Sequence, residues 1–427
     1  MTTITDQVAT PIDTTVDDLQ SREFVESHFS KEIKRVDEDG DLSLYCYINS
    51  DKDSPDYVKH CRGLVYDNDK LVVKTYSYSE EYVAGTDDET IWKRLEEFDP
   101  NECVVFDSYE GFLIRVFFLQ NKWYISTHRK LDAYKSKWSS RMSYGEIFEH
   151  SINAEWEKNE AFQERIQNVE GMGDDTTVLE RLLSSLDKTM CYTFLTMNTE
   201  ENRIVCSPPA TPTVYHVGTF PVGKTLPSEY SANLDMSIDI PYPSRVHHRA
   251  ELIDYVKNIN TRNQQGVIVF LPNGEQFKIF HKDYRYLYDI RGNEQSIKFR
   301  YLQLRMDTDK RNALVELYPS SQEVMDTYEN TIYRIAKHLK NIYIQRYIHK
   351  DVSTLPPHEF RFVSLCHKWH RDDREKNRIS LEKVIELLND QPPTFLNKFI
   401  REFLQEDTLK KRIATLNKET AAVATST

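Results

Sequence analysis

The residues of this chain whose types and spacing could do chemistry are few and dispersed. Ser108, Glu110 and Gly111 lie in a polar break, D-S-Y-E-G at 107–111, between two strongly apolar runs. A short polar loop between strands is where an α+β protein usually places its chemistry. Arg62–Gly63 opens an upstream hairpin, and Gln265–Gly266 and Gln276–Phe277–Lys278 stand on either side of a Pro272–Asn273–Gly274 turn. Arg129 and Lys130 begin a basic stretch, 128–148, interleaved with Tyr134, Trp138 and Tyr144. Basic groups alternating with aromatics suit a nucleotide or a nucleic-acid backbone. The plainer reading of 128–148, preferred on the residues alone, is a solvated amphipathic helix. No G-x-S-x-G elbow is present to activate a serine. Cys366, His367 and His370 form the one compact metal-like group, but paired zinc spacings are missing, so they read as packing and no metal site is assigned.

These residues need a sheet to hold them. The stretch 104–127 reads as strand, polar break, strand Phe112–Phe118, a turn at Gln120–Asn121 and a third strand Trp123–Thr127. Its β-branched and aromatic density fits a buried sheet, and Gly111 allows a close backbone approach at the break. Residues 59–74 read as a hairpin turning at Asn68–Asp69, and 38–41 as an acidic hairpin turn. Strands are expected at 190–197, 204–206 and 214–220, and a P-N-G hairpin at 266–280. The segment 146–187 has a helical period and no strand signal, so it reads as a helical insertion.

From 310 onward the pattern is helical. Ser320-x-x-Glu323 reads as a capping box, and Tyr328, Ile332, Ile335, Leu339 and Ile342 recur at helical steps. Further helices are expected at 359–371, from a cap at Ser380, and at 394–412. The resulting division is a tail at 1–18, a sheet domain at 19–306 carrying the insertion, a helical domain at 307–412 and a tail at 413–427. The fold class is α+β with antiparallel sheets.

Composition narrows the function classes. The formal charge of −13 means that a polyanion could be held only at a local basic groove. The 12 glycines include no G-x-G-x-x-G or Walker run, which argues against Rossmann and P-loop folds. Six dispersed cysteines without a C-x-x-C pair read as reduced thiols in a cytosolic-type compartment. No apolar run approaches membrane-spanning length.

Taken in order, five segments resemble the covalent nucleotidyltransferases: Arg62–Gly63, 107–111, 191–205, Gln265–Gly266 and Phe277–Lys278. The resemblance is to phage-type RNA ligases that seal broken tRNA, and 115–148 is similar to versions in large DNA viruses. It covers most of 24–306, and the trailing helices match the family's layout. It implies an antiparallel-sheet nucleotidyltransferase domain (ATP-grasp-like ligase), ATP and Mg as cofactors, RNA ends as partner, RNA repair, and a place in the host cytoplasm. In that family a loop lysine in K-x-D/E-G attacks the α-phosphate of ATP, and the adenylate passes to an RNA 5′-phosphate.

The resemblance also implies where this chain departs. Ser108 stands at the nucleophile position, followed by Glu110 and Gly111. Leu195 replaces an expected carboxylate. Gln265 replaces the glutamate of an E-G pair. One lysine, Lys278, remains of a K-x-K pair. Arg62 is kept at the position of an upstream nucleotide-contacting arginine. The expected site is therefore a degenerate groove in which Ser108, Glu110 and Lys278 occupy catalytic positions. Arg62, Gly111, Arg129, Lys130 and Gln265 would line the nucleotide. One alternative is an active ligase with a displaced lysine, for which Lys59, Lys122 and Lys130 are candidates. Another is a scaffold protein that uses its helical domain.

Overall fold

Twelve strands carry the sheet portion of the computed structural model, which describes residues 16–424 except 29–30, 100–101, 139, 168, 170–172, 174, 201–203, 224–233, 248 and 352–353. They are β1 (Ile33–Asp39), β2 (Leu42–Tyr47), β3 (Arg62–Asp67), β4 (Lys70–Val73), β5 (Glu80–Val83), β6 (Val104–Ser108), β7 (Phe112–Leu119), β8 (Lys122–Ser126), β9 (Met190–Met197), β10 (Thr213–Pro221), β11 (Gly266–Phe270) and β12 (Gln276–Phe280). They form three four-stranded sheets, ordered β1-β2-β3-β4, β10-β9-β7-β8 and β5-β12-β11-β6. The protein is thus mixed α and β with antiparallel sheets. One pair departs from that rule, since β5 runs parallel to β12.

Each sheet has an apolar face determined by strand alternation. In the third sheet Val105, Val267, Val269, Phe277 and Ile279 pack on Ile91 and Leu95 of helix Asp88–Glu96 and on Leu252, Ile253 and Val256 of helix Leu252–Asn258. In the second sheet Ile114, Val116, Tyr192, Phe194 and Val214 pack on helices Tyr144–Lys158, Glu160–Gln167 and Val178–Ser185. The opposite face of that sheet, through Phe117, Tyr124, Cys191 and Phe220, packs on Leu42, Leu44, Val65, Val72 and Val73 of the first sheet.

The chain divides into Met1–Tyr288 and Asp289–Thr427. The sequence reading put the change of character at 306/307, because its helical period becomes regular only there. Helix Ile297–Leu304 already lies within the second unit, which is entirely helical among its described elements.

Several local expectations need correction. Among the described residues, 128–143 form no amphipathic helix: beyond a short 3-10 turn at Ala133–Lys135 those residues are irregular, and the helix begins at Tyr144. Ser143 caps it, accepting from the Glu146 N–H while Glu146 accepts from the Ser143 N–H. Ser320 makes no capping box, because it lies in the 3-10 turn Pro319–Ser321 that precedes helix Gln322–Tyr343. Residues 204–206 are a bend, not a strand. Val16–Gln20 is a 3-10 turn that brings Leu19 to full burial, so the expected tail is structured from Val16. The last helix, Pro393–Ala424, continues through the segment expected as a C-terminal tail, in a run without Gly or Pro beyond its first residue. Residues 1–15 and 425–427 lie outside the described residues.

Gly266 sits where the third sheet is tightest. A Cβ there would lie 1.9 Å from the Ile279 carbonyl oxygen. Gly266→Ala should therefore destabilise the protein by about 3 kcal/mol, read as a lower urea midpoint. An unchanged midpoint would contradict this packing.

Candidate anion-binding site

The third sheet sets the register of the site. Gly266 lies opposite Ser108 on one side and Phe280 on the other, while Ile268 lies opposite Phe106 and Lys278. Lys278 in turn lies opposite Glu81. Side chains alternate along a strand, so Ser108, Lys278 and Glu81 share the face turned away from the helix-packed core.

Ser108 ends β6 instead of lying in the loop, and it is 5% exposed. Gln265 fixes it. The Gln265 side-chain amide donates to the Ser108 Oγ at 2.8 Å and to the Tyr109 carbonyl at 2.8 Å, and its backbone N–H donates to the Ser108 carbonyl at 2.9 Å. A carboxylate at position 265 would lack those donors, so the amide suits this geometry. Gln265 holds the loop, and among the described residues no base is bonded to the serine hydroxyl.

Glu110 is committed to backbone. Its carboxylate accepts from the Val205 N–H at 2.8 Å and the Ile204 N–H at 3.2 Å. Burial raises its pKa, opposed by those N–H donors and by Tyr284. Glu110 thus ties the loop to 204–205. Gly111 serves the same closeness: a Cβ there would lie 2.6 Å from the Thr196 carbonyl oxygen and 2.9 Å from Leu195 Cδ1.

The cations are arranged differently. Arg62, at the start of β3, donates to the Ser77 carbonyl at 3.4 Å, and its Nε is buried without a hydrogen-bond partner. Arg115, in the middle of β7, is 2% exposed. It donates to the carbonyls of Gly63 and Thr127, the latter at 2.7 Å, and its Nε also lacks a partner. Burial pulls the Arg115 pKa down to about 10, and Arg62 adds to the effect. Gly63, at φ +72°, makes room for it, since a Cβ there would lie 2.8 Å from the Arg115 Nη1.

Arg129 donates to the Tyr47 carbonyl at 3.4 Å. Burial holds His128 well below its ordinary pKa, with Arg62, Arg115 and Arg129 all contributing. Lys278 is also lowered, by burial first and then by Arg62, against the opposing pull of Glu81 and Glu110. Arg62 is therefore the hub that links the His128 side to Lys278. Among the described residues, none of Arg62, Arg115, Arg129 and Lys278 has an ion-pair partner.

The other expected basic residues are engaged elsewhere. Lys130 pairs with Asp37 at 3.0 Å, Lys59 with Glu80 at 3.0 Å and Lys122 with Asp39 at 2.9 Å. The structure brings Arg62 and Arg129 close to His128, Arg62 close to Lys278, and Ser108 and Gln265 together at the loop. It leaves Lys130 in an ion pair.

A divalent cation fits poorly here. Glu81 pairs with Arg285 at 2.8 Å, Glu80 with Lys59 and Arg94, and Glu110 with backbone N–H groups. Hard cations need several oxygen ligands. Among the described residues no group of three His, Cys, Asp or Glu could hold a metal. In the second unit, the His370 ring bonds the Asn377 carbonyl and His367 stacks on Tyr347.

Sequence reasoning missed Arg115, His128 and Tyr47. Tyr47 and Tyr78 meet edge to face at 6.4 Å beside Arg62. Gln276 donates to the Ser77 carbonyl at 3.1 Å and leaves its Oε1 buried without a partner. The signal for Arg115 was present: an arginine inside F-L-I-R-V-F-F needs a structural reason.

No protein-family model matches the chain. It is 28% identical over 378 residues to an immediate-early protein ICP-46 homolog of Invertebrate iridescent virus 6, covering 84% of this chain and 80% of that protein. It is 28% identical over 404 residues to the corresponding homolog of Invertebrate iridescent virus 3, covering 86% and 84%. Among solved structures it is similar to an archaeal ATP-dependent RNA ligase in two crystal forms. Form 1 gives 10% identity, 71% and 73% coverage and a TM-score of 0.38; form 2 gives 9%, 74% and 77%, and 0.35. Among the described residues no helix is long and apolar enough to cross a membrane.

The buried histidines give a pH test. Burial pushes His60 and His216 down to about 4 and holds His128 well below the ordinary 6.5. The unfolded chain takes up these protons near its ordinary value and the folded chain does not. Stability should thus be flat above neutrality and fall as pH drops below the ordinary value, by about 1 kcal/mol per fully desolvated imidazole one unit lower. Glu110, with its raised pKa, opposes the trend as a single group. A Tm that stays constant from about pH 7.5 to about pH 5.5 would contradict this.

Proposed function

We propose that the cluster of Arg62, Arg129 and Lys278 binds the phosphates of a nucleotide or of an RNA end. The surrounding sheets are read as a nucleotidyltransferase-type fold that does not attach the nucleotide to itself at position 108. The observation that carries this reading is Arg62. It faces other cations on two sides, its Nε has no partner, and no carboxylate among the described residues pairs with it. Like charges in a partly desolvated site repel, and an anion placed among them removes that cost. A chain with net charge −13 would not gather cations here through a general surplus.

ATP fits this arrangement through its phosphates, with Tyr47 and Tyr78 available to a base. ATP would supply an activated α-phosphate when bound. The chain's own groups orient and neutralise it: Arg62 and Arg129 as fixed donors, Lys278 as a proton-bearing amine. The carboxylates are already engaged, so magnesium would reach the site with the nucleotide and not through the protein. Ser108 is held as an acceptor by Gln265 and has no base, which supports the absence of attack from that position.

A second reading has one observation in its favour. Lys278 has a lowered pKa and no ion pair among the described residues, whereas Lys59, Lys122 and Lys130 are all paired. In that reading the Lys278 amine attacks the α-phosphorus of ATP. An N–P bond forms, the bond to the bridging oxygen breaks, pyrophosphate leaves and the amine proton passes to solvent.

One experiment separates the readings. ATP should bind with and without EDTA to a similar extent, and Arg62→Ala or Lys278→Met should each weaken it about tenfold, or about 1.4 kcal/mol. Incubation with α-labelled ATP and Mg²⁺ should leave no label on denatured protein. Label that is retained and then lost in Lys278→Met selects the second reading. No ATP binding in either buffer defeats both.

A further inference from the structure

The second unit carries a basic face that the reading of the first unit does not use. Between Arg346 and Arg378, eight lysines and arginines stand against five acidic residues, in a chain of net charge −13. The helix Pro357–Asp372 organises them. Arg361, Lys368 and Arg371 fall two turns and then about one turn apart, so they share one stripe, and all three are exposed. Arg374 follows just beyond the helix and is also exposed. Among the described residues none of these four has an ion-pair partner.

Aromatic rings border the stripe. Tyr347 lies in the π-helical turn Ile344–His349, and its ring stacks on His367 at 3.9 Å with the planes 6° apart. His367 sits close enough to Arg371, His370 and Arg374 for all three to lower its pKa, after burial. Arg346 lies over the Phe360 ring at 5.0 Å and the Tyr347 ring at 5.7 Å, and Phe360 is 45% exposed. π-Helical turns inside helical segments often mark functional positions. Cys366, which looked metal-like beside these histidines, is buried beneath them at 1% exposure.

We propose that this face binds single-stranded nucleic acid, with Lys368, Arg371 and Arg374 on consecutive phosphates and the Tyr347–His367 pair offering a stacking surface to a base. Unpaired cations at turn spacing provide the electrostatic part, and flat rings among them provide the part that a merely soluble basic helix lacks. The site lies in the second unit and the Arg62 cluster in the first, and the proposal does not depend on what that cluster binds.

The test uses the full chain and a labelled oligouridylate of about 20 nucleotides, which has no duplex for the protein to read. Affinity is measured from about 50 to about 300 mM salt. The variant K368E/R371E/R374E should weaken binding at least tenfold at low salt and reduce the slope of log affinity against log salt by about 2, since each lost phosphate contact on a single strand removes about 0.7. Tyr347→Ala should weaken binding with the slope unchanged. The control K298E/K310E/K398E changes net charge equally within the same unit and should leave the slope unaltered. The proposal is overturned if the wild type does not bind at low salt, if both triple variants act alike, or if polyglutamate competes as well as RNA at equal charge. A milder variant, K368A/R371A/R374A, checked by thermal melting, keeps the test valid should the charge reversals unfold the unit.

Discussion

The site in the sheet unit depends on a buried arginine without a counter-ion. Arg115 sits in the middle of a strand, fully desolvated, and is held by two backbone carbonyls. Charge–carbonyl hydrogen bonds can hold a guanidinium in the interior, but they do not neutralise it. Its charge therefore reaches Arg62, His128 and, through Arg62, the Lys278 side. Burial first, then Arg62, Arg115 and Arg129, hold the His128 pKa down. Gly63 has no side chain because Arg115 occupies the space. The arrangement of the start of β3 and of the segment after β8 follows from accommodating that one charge.

Loop and cations have been divided between different tasks. Ser108, Gln265, Glu110 and Gly111 form a hydrogen-bonded junction that joins β6, β9, β11 and the 204–205 segment. The Gln265 amide nitrogen, the Ser108 hydroxyl and both Glu110 carboxylate oxygens have protein partners, so the junction is a structural element. Arg62, Arg115 and Gln276 show the reverse: each has a buried polar atom with no partner. Buried polar groups are normally satisfied, so the unpartnered Nε atoms of Arg62 and Arg115 leave donors that a bound group would complete. Two guanidinium nitrogens among those exceptions favour an anion.

Much of the scaffold was legible from sequence. The hairpins at 62–73 and 266–280 follow from turn residues, and Asn68, at φ +54°, adopts the left-handed conformation its turn requires. The triple strand at 104–127 follows from aromatic and β-branched density. The helical segments in 144–185 follow from period. What was not legible depends on partners remote in sequence. Lys130 looked like a ligand-facing cation until Asp37, on another sheet, took it up. Glu110 looked catalytic until backbone 94 and 95 residues away occupied it. Arg115 was hidden because an arginine in an apolar run has no local rule that says which carbonyls it will find. The basic stretch 128–148 was read as a helix because its charges are spaced like one, yet the turn at Thr127–Lys130 and the Ser143 cap delay the helix until Tyr144.

Proton uptake on ligand binding tests the central claim most directly. Burial lowers the Lys278 pKa, and an anion that joins Arg62 and Lys278 opposes that lowering, so binding shifts the lysine's titration upward. Calorimetric titration of ATP in two buffers of different ionisation enthalpy, above neutral pH, measures the protons taken up. The account predicts net uptake in the wild type, with that portion abolished by Lys278→Met. Binding without uptake, or uptake unaffected by Lys278→Met, would contradict it.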